Sequence, residues 1–505
     1  MRNLLLPLTL AGLIFQFGYD NQPRTISPGS FWQAKVEPGL LAEISGGESE
    51  FLLYLSEQAD LSGAYALETK EEKGRYVFRQ LTEVAHRTQG PLVAELEWRK
   101  APHRRFWIAN MIWVRGDYLL LEALARREDV ARVYANPRVQ LGLPSVVPPK
   151  RVPDSAGAIE WNILKVRAPE LWAAGFTGQG IVIGGQDTGY DWEHPALKVH
   201  YRGWDGNGVD HNYSWHDAIH DSPGNPCGDD SPEPCDDQGH GTHTMGIMVG
   251  VEPDGSNPVG MAPGAKWIGC RNMDQGFGTP ATYSECYQWF IAPTDLNGDN
   301  PDPAKAPHVI NNSWGCPPFE GCTEPDVLLS VVEAVRAAGI LTVHSAGNSG
   351  PTCGTIDTPA AIYDASFTVG STTEGDQLSS YSSRGPVTID ASGRLKPDVS
   401  APGSGIRSSY PGGIYLYLSG TSMSGPHVAG QAALLFSARP ELVGQVEQVE
   451  DVIRTSAVPI VTSQVCGGIP GNAIPNNSAG WGRIDAWNAY LTQLSAVLWF
   501  PLITR

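Results

Sequence analysis

From residue 160 onward, short apolar, β-rich runs alternate with stretches of helical periodicity. The runs are GIVIGGQDTG (180–189), KWIGCRNM (266–273), HVINNSWG (308–315), ILTVHSAGN (340–348) and ASFTVGST (365–372). Continuous apolar runs of this length suit strands buried on both faces, whereas half-exposed strands alternate. Between them DVLLSVVEAVRAAG (326–339) repeats its apolar positions at helical spacing and stops at a glycine. Buried strands alternating with helices predict an α/β fold with a doubly wound, mostly parallel sheet. In such sheets chemistry gathers beyond the carboxyl ends of the strands.

The pattern before residue 150 is different. FLLYLS (51–56) and RRFWIANMIWVRG (104–116) read as strands, YLLLEALARREDV (118–130) as a helix and ARVYANPRVQL as a last short strand, which together predict a small α/β module. VPPKRVPDSAG (147–157) is proline-rich and charged, as a linker or processing site should be. The first residues, MRNLLLPLTLAGLIFQFG, hold one arginine and an apolar run too short to span a bilayer comfortably. A signal peptide over 1–24 is expected there, with a retained N-terminal anchor as the alternative, because no small-x-small cleavage site follows. The expected division is 25–150 for the module and its linker, 151–490 for the main domain and 491–505 for a short apolar tail.

Composition sharpens that boundary. Residues 1–150 carry 18 Lys+Arg and 17 Asp+Glu, the remainder 17 and 37, so nearly all of the formal charge of −19 belongs to the second part. A chain this acidic excludes nucleic acid as a partner. Gly 57 and Pro 40 call for many turns rather than a helical bundle. All 8 cysteines lie between Cys227 and Cys466. No C-x-x-C pair occurs, so disulfides are expected rather than zinc, with Cys227–Cys235 and Cys316–Cys322 near enough in sequence to close small loops. Cys270, Cys286, Cys353 and Cys466 cannot be paired from sequence.

Three polar residues stand in glycine-flanked turns. Ser422 lies in SGTSMSGPHVAG (419–430), just before a helix-forming run; His240 lies in DDQGHGTHTMGIMVG (236–250); Asp187 ends the run IVIGGQDTG. Taken singly, each is a cap or turn residue. The order Asp, His, Ser along one chain is that of the subtilisins, not of chymotrypsin or the α/β-hydrolases. QDTGYDWEHP, GHGTHTMG and GTSMSGPHVAG resemble the three motifs of the subtilisin-like serine proteases (subtilases, peptidase S8) across roughly residues 160–490. NNSWGCPPFEGC and NPCGDDSPEPCDD are most similar to the bacillopeptidase F branch, whose propeptide residues 50–140 also resemble.

The resemblance implies a secreted serine endopeptidase. Ser422 would be the nucleophile, His240 its base and Asp187 the acid orienting the imidazole. Asn348, in HSAGNSG, would be the oxyanion donor. Substrate polypeptide would lie as an added β-strand between Gly276, Phe277 and Gly278 on one side and Ser313, Trp314 and Gly315 on the other, with Ser345, Ala346 and Gly347 nearby. Asp357 precedes Thr358-Pro359 where the family often has a neutral glycine at the floor of its specificity pocket, and it would favour cleavage after Arg or Lys. The chemistry needs no cofactor. Structural calcium is left open: the acid that many subtilases place after the His-Pro of the first motif is Ala196 here, and DLNGDNPD (295–302) offers Asp295, Asn297 and Asp299 at alternate positions but has Ala306 where an EF-hand has its closing Glu. His211, His216 and His220 crowd one loop, read as polar surface rather than a metal site. The module of residues 25–150 would act as folding template and intramolecular inhibitor, removed by the enzyme itself, and a monomer is the expected state. Two other functions compete: a catalytically silent subtilase fold used for binding, and a narrow processing protease.

Overall fold

The computed structural model describes residues 32–142, 150–151 and 157–499. The expected leader, most of the 147–157 linker and residues 500–505 of the tail lie outside the described residues.

The N-terminal part folds as a four-stranded antiparallel sheet of β1 (Ser49–Leu55), β2 (His103–Phe106), β3 (Met111–Gly116) and β4 (Val130–Ala135), in the order β2-β3-β1-β4. The single run expected over 104–116 is therefore two strands. It turns at Trp107–Asn110, where Asn110 takes a φ of 41°, a left-handed conformation that asparagine tolerates better than most residues. Three α-helices of this part were not singled out by the apolar pattern: a short one at Pro38–Ile44, α1 (Lys70–Thr88) and α2 (Gly90–Arg99). Thr69 and Glu72 form a reciprocal capping box that starts α1.

Alternation along β1 explains its unbroken apolar run. Phe51, Leu53 and Leu55 pack with Leu92, Leu121 and Leu124 inside the module. Leu52 and Tyr54 face the other way and share a core with Tyr283, Tyr287 and Val331 of the main domain. Both faces of the sheet are thus covered, one by α2 and the helix at Tyr118–Ala125, the other by α1 and the main domain.

Two short strands follow, β5 (Val139–Gln140) and β6 (Lys150–Arg151). The main domain contains β7 (Val182–Asp187), β8 (Trp215–Asp217), β9 (Lys266–Arg271), β10 (Met273–Asp274), β11 (Phe277–Gly278), β12 (Val309–Asn312), β13 (Leu341–Ser345), β14 (Phe367–Thr372) and β15 (Val399–Pro402). Seven of these form one parallel sheet, β15-β14-β13-β12-β7-β9-β8. Its helices include α3 (His240–Val249), α4 (Pro280–Ile291), α5 (Leu329–Ala337) and α6 (Thr421–Ala438). Along β12, Val309 joins Val428 and Ala429 of α6 on one face, and Ile310 joins Phe290 and Val335 on the other. From β7 the chain first builds the β9 side of the sheet and then crosses to β12, so the strand order reverses beside β7. Asp187 ends β7 at that crevice.

All 8 cysteines are paired: Cys227–Cys235 and Cys316–Cys322 as expected, and Cys270–Cys286 and Cys353–Cys466 among the four left open. The uneven charge is used at the contact between the two parts. Arg115 meets Asp221 at 2.9 Å and Arg132 meets Glu324 at 2.5 Å. The α1 amines of Lys70 and Lys73 reach the carbonyl oxygens of Ala306 (2.9 Å) and Gly444 (2.7 Å). Burial pushes the Lys70 amine down to about 8.

Candidate active site

The turn after β7 and the start of α3 touch closely. A Cβ on Gly241 would stand 2.1 Å from the Gly189 carbonyl oxygen, so only glycine lets the helix seat there. Asp236 secures that helix end, its carboxylate accepting from the Gly239 N–H (2.7 Å), the Thr242 N–H (3.0 Å) and the Thr188 hydroxyl (2.8 Å). The result brings His240 Nδ1 to 2.7 Å from Asp187 Oδ1, with both side chains buried. Asp187 is fixed in turn by the Thr188 N–H at 2.8 Å and the Thr244 hydroxyl at 3.3 Å. An Nδ1–H donated to a carboxylate leaves Nε2 with its lone pair. His240 Nε2 is buried and has no hydrogen-bond partner among the described residues.

Ser422 is the second residue of α6, which packs against α3. Its hydroxyl donates to the Ser313 carbonyl at 3.2 Å, and the Ser313 hydroxyl donates back to the Ser422 carbonyl at 2.8 Å. Asn348 is held by its Oδ1, which accepts the Thr421 N–H (2.9 Å) and hydroxyl (3.0 Å). Its Nδ2 is thereby aimed into the cleft, where it donates to the Gly142 carbonyl at 3.0 Å.

The residues around Gly142 come from the end of the N-terminal part. β5 pairs antiparallel with β11, Gln140 opposite Phe277 and Val139 opposite Gly278, and the Leu141 N–H donates to the Gly276 carbonyl at 2.7 Å. The Arg138 guanidinium lies 4.0 Å from the centre of the Phe277 ring. Beside this strand opens a cavity of about 270 Å³ lined by Ser313, Trp314, Gly315, Ser345, Gly347, Asn348, Asp357 and Ser422. Trp314 stacks on Tyr283, with ring centres 3.9 Å apart. Of Ser345, Ala346, Gly347 and Asn348, Ala346 alone turns away from the cavity: it is fully buried in the core and its N–H goes to the Val369 carbonyl. Asp357 is half-buried, burial pushes its carboxyl up, and it forms no ion pair among the described residues.

At the calcium candidates, the Asp295 carboxylate serves as an acceptor for its own loop. Asp295 Oδ1 already accepts the N–H groups of Asn297 and Asp299 at 3.0 Å each, and Oδ2 accepts the Asn300 amide at 2.8 Å. No three His, Cys, Asp or Glu side chains among the described residues are disposed to hold a metal ion. His216 and His220 instead direct their Nε2 atoms at one oxygen of the buried Glu285, at 3.0 and 2.8 Å. Burial pushes His220 down, but the Glu285 carboxylate outweighs it and the ring is raised to about 9. A raised folded-state value stabilises fully below the unfolded value of about 6.5 and loses that stabilisation as pH rises through about 9. His220→Asn should therefore cost on the order of 1 to 3 kcal/mol at pH 6, and thermal unfolding at pH 10 should show most of the gap closed.

Sequence reasoning missed the carboxylate of Asp236 and the hydroxyl of Thr421. Each lies within a quoted motif; Asp236 accepts N–H groups at the start of α3 and the Thr421 hydroxyl donates to Asn348 Oδ1, contacts that spacing alone does not reveal.

Residues 178–482 match the subtilase family. Bacillopeptidase F of Bacillus subtilis (strain 168) is 36% identical over 443 residues, which cover 84% of this chain and 29% of that protein. Subtilisin E of the same organism is 32% identical over 304 residues, 60% of this chain and 67% of its own length. Subtilisin Savinase of Lederbergia lenta is 30% identical over 286 residues, 56% of this chain and 87% of its own. The chain therefore spans less than a third of Bacillopeptidase F.

Proposed function

The chain belongs to the subtilase family of serine peptidases, and we propose that it is a secreted, monomeric serine endopeptidase that matures itself by cutting between Gly142 and Leu143. One observation carries the reading: the strand before that bond lies along β11 as an added strand, with the Gly142 carbonyl on the Asn348 amide. That is the pose a substrate acyl group takes when its oxygen is to become an oxyanion.

The chemistry follows from the side chains present. Asp187 keeps the His240 proton on Nδ1, so Nε2 serves as the base. Rotation about the Cα–Cβ bond of Ser422 moves its hydroxyl from the Ser313 carbonyl to that nitrogen. The hydroxyl proton passes to His240 as Oγ attacks the Gly142 carbonyl carbon. Negative charge on the oxygen is met by Asn348 Nδ2 and the Ser422 N–H, one of the first-turn N–H groups that no helical carbonyl satisfies. The imidazolium then protonates the Leu143 nitrogen as the peptide bond breaks. Water, deprotonated by the same imidazole, releases the acyl group from Ser422.

Residues 32–142 are the propeptide in this reading. Their sheet covers α4 and α5 and their last residues fill the cleft, which makes the same segment template and inhibitor. Export is supported by the full pairing of the cysteines. No helix among the described residues is long and apolar enough to cross a membrane. Intact mass and N-terminal sequencing of purified full-length chain test the proposal. A new N-terminus at Leu143 supports it; an uncut chain, or a cut distant from Gly142, overturns it.

Foreign substrates face the Asp357 carboxylate in the cavity beside Gly142, which favours Lys or Arg before the scissile bond. Glycine in the self-strand leaves that space unfilled, tolerable because the tether keeps the strand in place. Asp357→Ser is expected to lower the ratio of kcat/KM for Arg over Phe peptides by about tenfold or more. An unchanged ratio would place the carboxylate outside the specificity pocket.

A further inference from the structure

The cleft has a wall for which the triad gives no reason. The Cys316–Cys322 disulfide closes CPPFEGC into a small loop. This loop runs beside the strand on the edge opposite β11. A Cβ on Gly321 would stand 2.8 Å from Pro137 Cβ, and Glu320 lines the cavity that Gln140, Asp357 and Ser422 line. Successive N–H groups of an extended strand point to opposite edges. The Leu141 N–H goes to Gly276, and the Gln140 N–H is directed at the Glu320 carboxylate. Glu320 forms no ion pair among the described residues, and its Oε2 is buried without a hydrogen-bond partner. A half-buried carboxylate so placed is costly until a cation or further donors reach it.

We propose that the Cys316–Cys322 loop is an acidic recognition edge for polypeptide upstream of the scissile bond. Its Glu320 accepts the main-chain N–H of the third residue before that bond and favours Lys or Arg there. The proposal rests on the endopeptidase reading, in which Gly142 precedes the bond and Gln140 stands third. The Gln140 side chain is exposed, so a longer basic side chain in its place has room to turn back toward the carboxylate. Phe319, 79% exposed on the same loop, offers apolar surface to its stem. A glutamate at that position meets like charge and is disfavoured.

Two measurements decide it. In full-length Ser422→Ala, Glu320→Ala should speed hydrogen exchange at the Gln140 amide about tenfold or more, while the Leu141 amide, held by Gly276, changes little. Equal changes at both amides, or none at Gln140, overturn the contact. The self-processed enzyme should cleave peptides differing only at the third residue in the order Arg, Gln, Glu, spread over about tenfold in kcat/KM, and Glu320→Gln should collapse that spread. A wild type without the order, or a variant that keeps it, overturns the selection. If the wild type cleaves no peptide, the endopeptidase reading fails, and the exchange measurement still decides whether Glu320 grips the strand.

Discussion

Ser422→Ala is expected to leave the full-length chain whole and to lower kcat on peptides by on the order of 10⁶-fold, the loss established for the serine of a subtilisin triad. The size of the effect reflects a group that acts as a unit. His240 has a base nitrogen with nothing to deprotonate once the hydroxyl is gone, and the Asp187–His240 pair, at 2.7 Å, loses its purpose. Folding should survive, because the lost hydroxyl makes one 3.2 Å bond to the Ser313 carbonyl, and the reciprocal bond from the Ser313 hydroxyl is accepted by the main-chain carbonyl of Ser422, which the substitution keeps. Intact mass over time on the two proteins side by side gives the result. A variant that still sheds residues up to Gly142 would mean that another nucleophile, or another enzyme, makes the cut.

Asn348→Ala is expected to reduce kcat by about 10²–10³-fold with little change in KM, the range known for the oxyanion asparagine of a subtilisin. The amide contributes most when the carbonyl oxygen has become an anion, so the loss falls on the transition state rather than on binding. The substitution also leaves the Thr421 N–H without its 2.9 Å acceptor, at a stability cost of about 1 kcal/mol. Steady-state kinetics with a melting curve separate the two. A rise in KM at constant kcat would make Asn348 a binding residue and remove it from the oxyanion site.

The parts of the fold that the sequence makes plain are those whose burial is uniform. β7, β12 and β13 are covered on both faces, so their runs open on consecutive apolar residues without strict alternation, and Asp187 and Asn348 follow where those runs end. α1 was harder for an identifiable reason. Val77, Leu81 and Ala85 repeat at helical spacing and are buried, yet Lys70 and Lys73 break the apolar face because their amines cross to carbonyl oxygens of the main domain. The two-residue β5 is hidden at the end of ARVYANPRVQL, which reads as one strand but is two, since its partner β11 lies far along the chain and the pairing exists only after folding. The same holds for Cys353 and Cys466, which are 113 residues apart. Ala346 falls in a motif placed beside the cleft, but which members of the motif turn inward is settled by packing against β14.

The two-faced sheet of the N-terminal part has a consequence for how the cut chain behaves. If residues 32–142 are the inhibitor proposed above, the tether would fix their local concentration at the cleft while the Gly142–Leu143 bond is intact, and no amount of solvent would alter it. Once the bond is cut, Leu52, Tyr54 and their neighbours still cover Tyr283 and Val331, but as one molecule resting on another. Occupancy of the cleft then follows mass action. Activity per mole of processed enzyme would climb as the solution is diluted, the reverse of an enzyme that works only when assembled. A concentrated store of cut protein would stay quiet until it is dispersed.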